Sequence, residues 1–439
     1  MYQLPPPKGF EEMATLEGLP VELHISILFT VPDLGSLGSL ILASPAYYDT
    51  YQLVKEELLQ NLLQEHYAGL INIADAITAI RSKGLYAYNI ANKEKIIALL
   101  DSQHRSDEIR QREVSSGPLP DEPATIKEII QLLQLHDMAI RVLEDYSRTT
   151  KQPFWIEHNT WANDHLPLAL SEIEKRRVFR AFYRLQIYRN IFGSVERAFN
   201  QEKTFTSEES WQLFFSTMAP WEIEEFACLF QHYCHKYQGI IREVSDNLIQ
   251  TGYTFLSELP EDLRVPTATF ISDCDDLRYA DEVPEQMSSI GPALLGQILR
   301  QQQFLARRNL VLVNARGFRY QFYDIGLWPF PDSSRDKVHF LYPADRFDFG
   351  TDMHGFRELL RTLPPSERPS IAWERIWLRA ESRSPILFHD MFECGSENFY
   401  RLWGYALWED ERLRDWATPM LADDYPLWTT TKEWGHYLG

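Results

Sequence analysis

The sequence predicts a mainly α-helical fold: a three-helix N-terminal unit, then a larger helical domain with minor extended segments. Three observations carry this. Apolar residues recur at three- and four-residue spacing as far as Asp262, the period of a helix face. Ser171/Glu174 and Thr206/Glu209 match the capping box, in which the hydroxyl takes the N3 amide and the glutamate reaches back. No internal period is present, which removes propellers and leucine-rich solenoids.

Taken in order, Leu23 and Ile27 share a face of a first helix, with Ile27 beside Leu28. After Pro32-Asp33, Leu34, Leu37 and Ile41 mark a second helix that Ser44-Pro45 ends. Tyr47, Tyr51, Val54, Leu58 and Leu62 carry a third to about His66. Two further helices are expected over Ile71–Arg81 and Lys93–Asp101. Residues 102–125 are polar with three prolines and read as a linker. Residues 1–66 therefore form the N-terminal helical unit, 67–125 connecting helices and linker, and 126–439 an aromatic-rich helical domain.

In that domain, helices are expected over Ile126–Ser147, from Ser171 to a stop at Gly193, and from Pro220 through Tyr237. Another spans Pro292–Ala306, and Leu310–Val313 and Arg319–Tyr323 read as extended. Six prolines make residues 326–370 loop-rich, and the tail returns to helix at Glu397–Glu409 and Glu411–Ala417. Trp221 and Trp403, each in an aromatic-rich helical stretch, are expected in the core.

A chain of 439 residues suggests two or three packed units, and 13% aromatic content can build a large core. The net charge of -20 disfavours nucleic acid and anionic lipid. The mixed run Glu174-Lys175-Arg176-Arg177 reads as a solvated helix face. Four cysteines do not make a disulfide framework. No run approaches the roughly 20 apolar residues of a membrane span. The residues before Phe10 lack a signal core, so the expected location is cytoplasm or nucleus.

The stretch Leu16–Tyr51 holds more apolar residues than three short helices can bury in themselves. It presents Leu19-Pro20, Glu22, Ile27-Leu28, Pro32-Asp33-Leu34, Leu37, Leu40, Ser44 and Tyr47-Tyr48 in that order. This order resembles the F-box, with Val31 where leucine is usual and tyrosine where tryptophan is common in the third helix. Arg180–Gly193, Ala219–Glu225 and Arg401–Trp408 resemble segments of F-box-like proteins of filamentous fungi. The resemblance implies a substrate-recruiting subunit of a Skp–cullin–F-box ubiquitin ligase, in the ubiquitin-conjugation pathway. A Skp-type adaptor, and through it a cullin, would bind one end and an unknown protein substrate the other. The implied adaptor-binding residues are Leu19, Pro20, Glu22, Leu23, Ile27, Leu28, Leu34, Leu37 and Leu40. The competing reading is a helical interaction protein whose N-terminal helices serve only the fold.

Catalytic and metal signals are weak. Cys228, His232 and His235 fall at i, i+4 and i+7, but aromatic neighbours mark a buried helix rather than a zinc site. Asp273, Asp275, Asp276, Asp281 and Glu282 crowd a loop without EF-hand spacing. His389-Asp390 lacks a nucleophile partner, and no glycine-rich phosphate loop occurs. The expectation is no cofactor, no metal and no enzyme activity.

Overall fold

A computed structural model of the chain describes residues 16–68, 73–104, 122–193, 204–206, 209–210, 213–251, 282–315, 353–377 and 397–422. The described residues are mostly helical and contain no strand. The expected segment Arg319–Tyr323, the loop aspartates 273, 275, 276 and 281, and His389-Asp390 lie outside them; Glu282 is the first residue of a helix.

The chain divides into two compact units, residues 1–69 with 123–138, and residues 70–122 with 139–439. In the first, α1 spans Val21–Phe29, α2 Leu34–Ala43 and α3 Pro45–Tyr67. Pro20 caps α1 in an extended conformation, and the helix closes with the Thr30 amide donating to Ile27 and the Val31 amide to Leu28. Asp33 caps α2: its carboxylate accepts from the Ser36 amide at 2.8 Å and the Ser36 hydroxyl at 2.6 Å. Those bonds hold its pKa below the ordinary carboxylate value. Ser44 is extended, as a residue before proline must be, and Pro45 opens α3 at a position that needs no amide. Tyr47, Tyr51, Leu58, Leu59, Leu62, Leu63 and Tyr67 form the buried stripe of α3. Helix α6, Ile126–Thr149, begins in this unit, and Leu132 accepts from the Tyr67 hydroxyl at 2.9 Å.

The second unit contains α4 (Ile73–Arg81), α5 (Lys93–His104) and the later half of α6. Its centre is α7 (Glu172–Ile191) against α8 (Pro220–Thr251). The Ser171 capping box is complete, with both hydrogen bonds made, and the Thr206/Glu209 pair makes both of its bonds too. Helix α7 is buried on nearly every side, from Glu174 and Arg177 to Ile191. Helices α9 (Glu282–Ile290), α10 (Pro292–Arg300), α11 (Phe304–Ala315), α12 (Met353–Thr362), α13 (Ile371–Trp377), α14 (Glu397–Leu402) and α15 (Asp410–Asp415) follow. Trp221, Trp373, Trp403 and Trp408 are all fully buried, and Trp221 meets Trp373 edge-on at 5.8 Å.

Three expectations need correction. Leu310–Val313 is helical, inside α11, with Val311, Leu312 and Val313 buried. A short apolar run reads alike as buried strand or buried helix, and packing decides between them. The helix expected over Pro292–Ala306 is two, because Gln301 turns extended. The helix expected to reach Glu409 stops at Leu402, where the chain turns at Gly404 with φ of +76°. A side chain on Gly404 would clash with the Tyr146 hydroxyl, 2.2 Å from an added Cβ.

Candidate protein-docking surface

Helices α1 and α2 contribute little to the core of the first unit. Leu28 of α1, Leu37 of α2 and Tyr47 of α3 are 0%, 1% and 1% exposed, where α1 and α2 both rest on α3. His24 is also buried: its Nε2 lies 2.9 Å from the Leu16 carbonyl, and its ring sits 4.6 Å from Tyr47. Those contacts tie the start of the described chain to α1 and α3. The apolar residues that this core does not take remain at the surface.

Leu16, Val21, Leu23, Leu42, Tyr48 and Leu53 are exposed, and they are six of the eleven exposed large apolar residues among those described. The first unit thus carries most of that surface although it is the smaller one. Of the residues implied by the F-box resemblance, Pro20, Glu22 and Leu23 are exposed. Leu19, Ile27, Leu34 and Leu40 are half-buried, and Leu28 and Leu37 are buried. Leu16, Val21, Leu42 and Tyr48 are exposed as well, although the implied adaptor-binding set does not include them. The signal for them was present as the surplus of apolar residues, but surplus does not say which members face outward.

The second unit holds a charge network that local sequence reading missed. Glu174 and Arg177, expected on a solvated face, are 0% and 2% exposed. Arg177, Arg180 and Arg184 line one face of α7 at i, i+3 and i+7, and α8 answers with Glu222 and Glu225. Arg180 grips Glu225 with two bonds of 2.8 and 2.6 Å and reaches Glu222 at 2.9 Å. Arg184 bridges Glu222 at 2.7 Å and Asp75 of α4 at 3.1 Å. Burial works against the Glu222 charge, but Arg184 and Arg180 outweigh it and hold its pKa at about 2. Glu224, turned to the other side of α8, takes two bonds from Arg401 and one from the Tyr405 hydroxyl, all between 2.8 and 2.9 Å. Glu174 takes two bonds of 2.6 Å from Arg412. Each carboxylate meets guanidinium partners within the fold, so the network holds helices together instead of offering a group for acid–base chemistry.

The Cys228/His232/His235 face does not converge either. Cys228 is buried, His235 is exposed, and His232 sits 3.5 Å from Asp145, which also pairs with Lys236. Among the described residues no group of three or more potential ligands is placed to hold a metal ion. Nor is any described helix long and apolar enough to cross a membrane. No family model matches the chain, and no curated protein and no solved structure matches it.

Proposed function

We propose that the chain is a non-catalytic F-box-type adaptor subunit that recruits a protein substrate to a Skp–cullin ubiquitin ligase in the cytoplasm or nucleus. The first unit is the docking element for the Skp-type adaptor, and the second unit is the substrate-recruiting body. The observation that carries this reading is the concentration of exposed apolar residues on the first unit, around Leu16, Val21, Leu23, Leu42 and Tyr48. Several large apolar side chains left exposed on one small helical unit are the property expected of a protein-binding element. The order of residues in Leu16–Tyr51 supplies the kind of partner.

A second reading, that the three helices serve only the fold, draws on the burial of Leu28 and Leu37, two members of the implied adaptor-binding set. Capture of the full chain by an immobilised Skp-type adaptor separates the two. Interface energy concentrates in a few residues worth about 2 kcal/mol or more each, so Leu19→Ala with Pro20→Ala weakens capture by about thirtyfold or more. Neither residue is buried, so the melting temperature stays within a few degrees of the parent. Absence of capture at micromolar adaptor, or unfolding of the double variant, favours the second reading.

A further inference from the structure

His24 clamps the Leu16–Pro20 segment at both ends. Its backbone amide donates to the Pro20 carbonyl at 3.2 Å, opening α1. Its ring reaches back eight positions to the Leu16 carbonyl, which lies 2.9 Å from Nε2. A carbonyl oxygen only accepts, so Nε2 carries the ring hydrogen. On the other side of the ring, Nδ1 lies 3.4 Å from the Thr50 hydroxyl oxygen of α3, and that hydroxyl donates to the Ala46 carbonyl at 2.8 Å. The residue is 4% exposed, and its ring is tilted against Tyr47 with centroids 4.6 Å apart. One imidazole thus joins the chain before α1, α1 itself and α3.

Packing at this position is served as well by an apolar side chain, which has no polar group to desolvate. What the imidazole adds is an N–H for Leu16. Leu16–Gly18 is a single 3-10 turn of three residues, all exposed. Among the described residues, no other side chain is hydrogen-bonded to that turn. The turn leads directly into Leu19 and Pro20, both in the implied adaptor-binding set, and Leu16 is itself 64% exposed. A loose segment must be ordered when a partner binds, at a cost in affinity, whereas a segment held in advance avoids that cost.

We infer that His24 is a positioning residue for the docking surface: through its Nε2–H it holds Leu16, Leu19 and Pro20 in the arrangement that an adaptor meets. The inference rests on the adaptor reading of the first unit. Its test compares the full chain with His24→Leu and His24→Gln. Leucine fills the space without the N–H, and the glutamine amide restores an N–H close to the place of Nε2. His24→Leu weakens capture by a purified Skp-type adaptor about fivefold or more, and His24→Gln recovers it to within about twofold of the parent. His24→Leu melts no lower than the parent, because its packing is kept. Leucine-methyl NMR of the free chain reads the tie without any adaptor. The Leu16 and Leu19 methyl order parameters fall in His24→Leu and stay at the parental values in His24→Gln. Imidazole nitrogen shifts of the parent place the His24 hydrogen on Nε2. A hydrogen on Nδ1 alone overturns the role, whatever the variants do. Unchanged Leu16 and Leu19 methyls in His24→Leu, mobile methyls with parental capture, or a large fall in melting temperature overturn it too. A parent chain that captures no adaptor sinks the adaptor reading and this role with it. The methyl signals then still show whether the tie exists, which keeps the two failures apart.

Discussion

Glu224→Gln is the most informative single change in the second unit. Glu224 is 0% exposed and Arg401 3% exposed. Arg401 gives the carboxylate bonds of 2.9 and 2.8 Å, and the Tyr405 hydroxyl adds one of 2.8 Å. An amide in place of the carboxylate preserves the shape but removes the counter-charge that Glu224 gives the buried Arg401 cation. Breaking a buried pair from one side costs about 3–5 kcal/mol, a large part of the roughly 5–15 kcal/mol that holds a domain folded. Arg401→Met strands the carboxylate and costs a similar amount. Combining Glu224→Gln with Arg401→Met removes both buried charges, so the double variant sits far closer to the parent than the two single losses combined. Urea unfolding of the four proteins, followed by near-ultraviolet circular dichroism, measures this coupling. Single losses below about 1 kcal/mol, or a double variant as unstable as the sum of the singles, would show that the pair is solvated and would refute the buried network.

Two further outcomes follow from the same structure. Trp221→Ala and Trp403→Ala, each at a side chain 1% exposed, cost about 3–5 kcal/mol; an unchanged unfolding midpoint in either would place that ring at the surface. His136 is held down to about 4 from 6.5, by burial first and then by the charge of His66, whose ring lies 5.2 Å away. The unfolded chain therefore takes up this proton near pH 6.5 and the folded chain only near 4, so stability is lost as pH falls through that window. His136→Phe flattens this loss, and an NMR titration midpoint for His136 near 6.5 would contradict the assignment.

Helix ends were the most legible part of the fold. Ser171 with Glu174, Thr206 with Glu209, Pro45 and Pro220 all sit where their chemistry places them, because capping is settled within four residues. Tertiary decisions were not legible. The run from Glu174 to Arg177 reads as a surface patch until Arg412 and the Trp408 carbonyl arrive from more than 230 positions away. One signal was available: between Arg177 and Arg184, α7 carries Val178, Phe179, Ala181, Phe182 and Tyr183 around its circumference. A helix with no continuous polar face must bury its charges, and those charges then need partners. In the first unit, the surplus of apolar residues was legible from composition and length. Which leucines fill the core, Leu28 and Leu37, and which stay outside, Leu16, Leu23 and Leu42, follows from how α1 and α2 rest on α3. Sequence spacing alone does not set that packing.

The adaptor role rests on one surface, and Leu23 is its most direct probe, being 48% exposed on α1 while Leu28 on the same helix is 0% exposed. The decisive measurement is the affinity of the full chain for a purified Skp-type adaptor, for the parent, Leu23→Asp and Leu28→Ala. The account predicts micromolar or tighter binding by the parent. Leu23→Asp loses at least thirtyfold of that affinity with unchanged melting, since a charge is set into an apolar interface. Leu28→Ala loses about 2–5 kcal/mol of stability first. No binding by the parent, or equal binding by Leu23→Asp, contradicts the adaptor role.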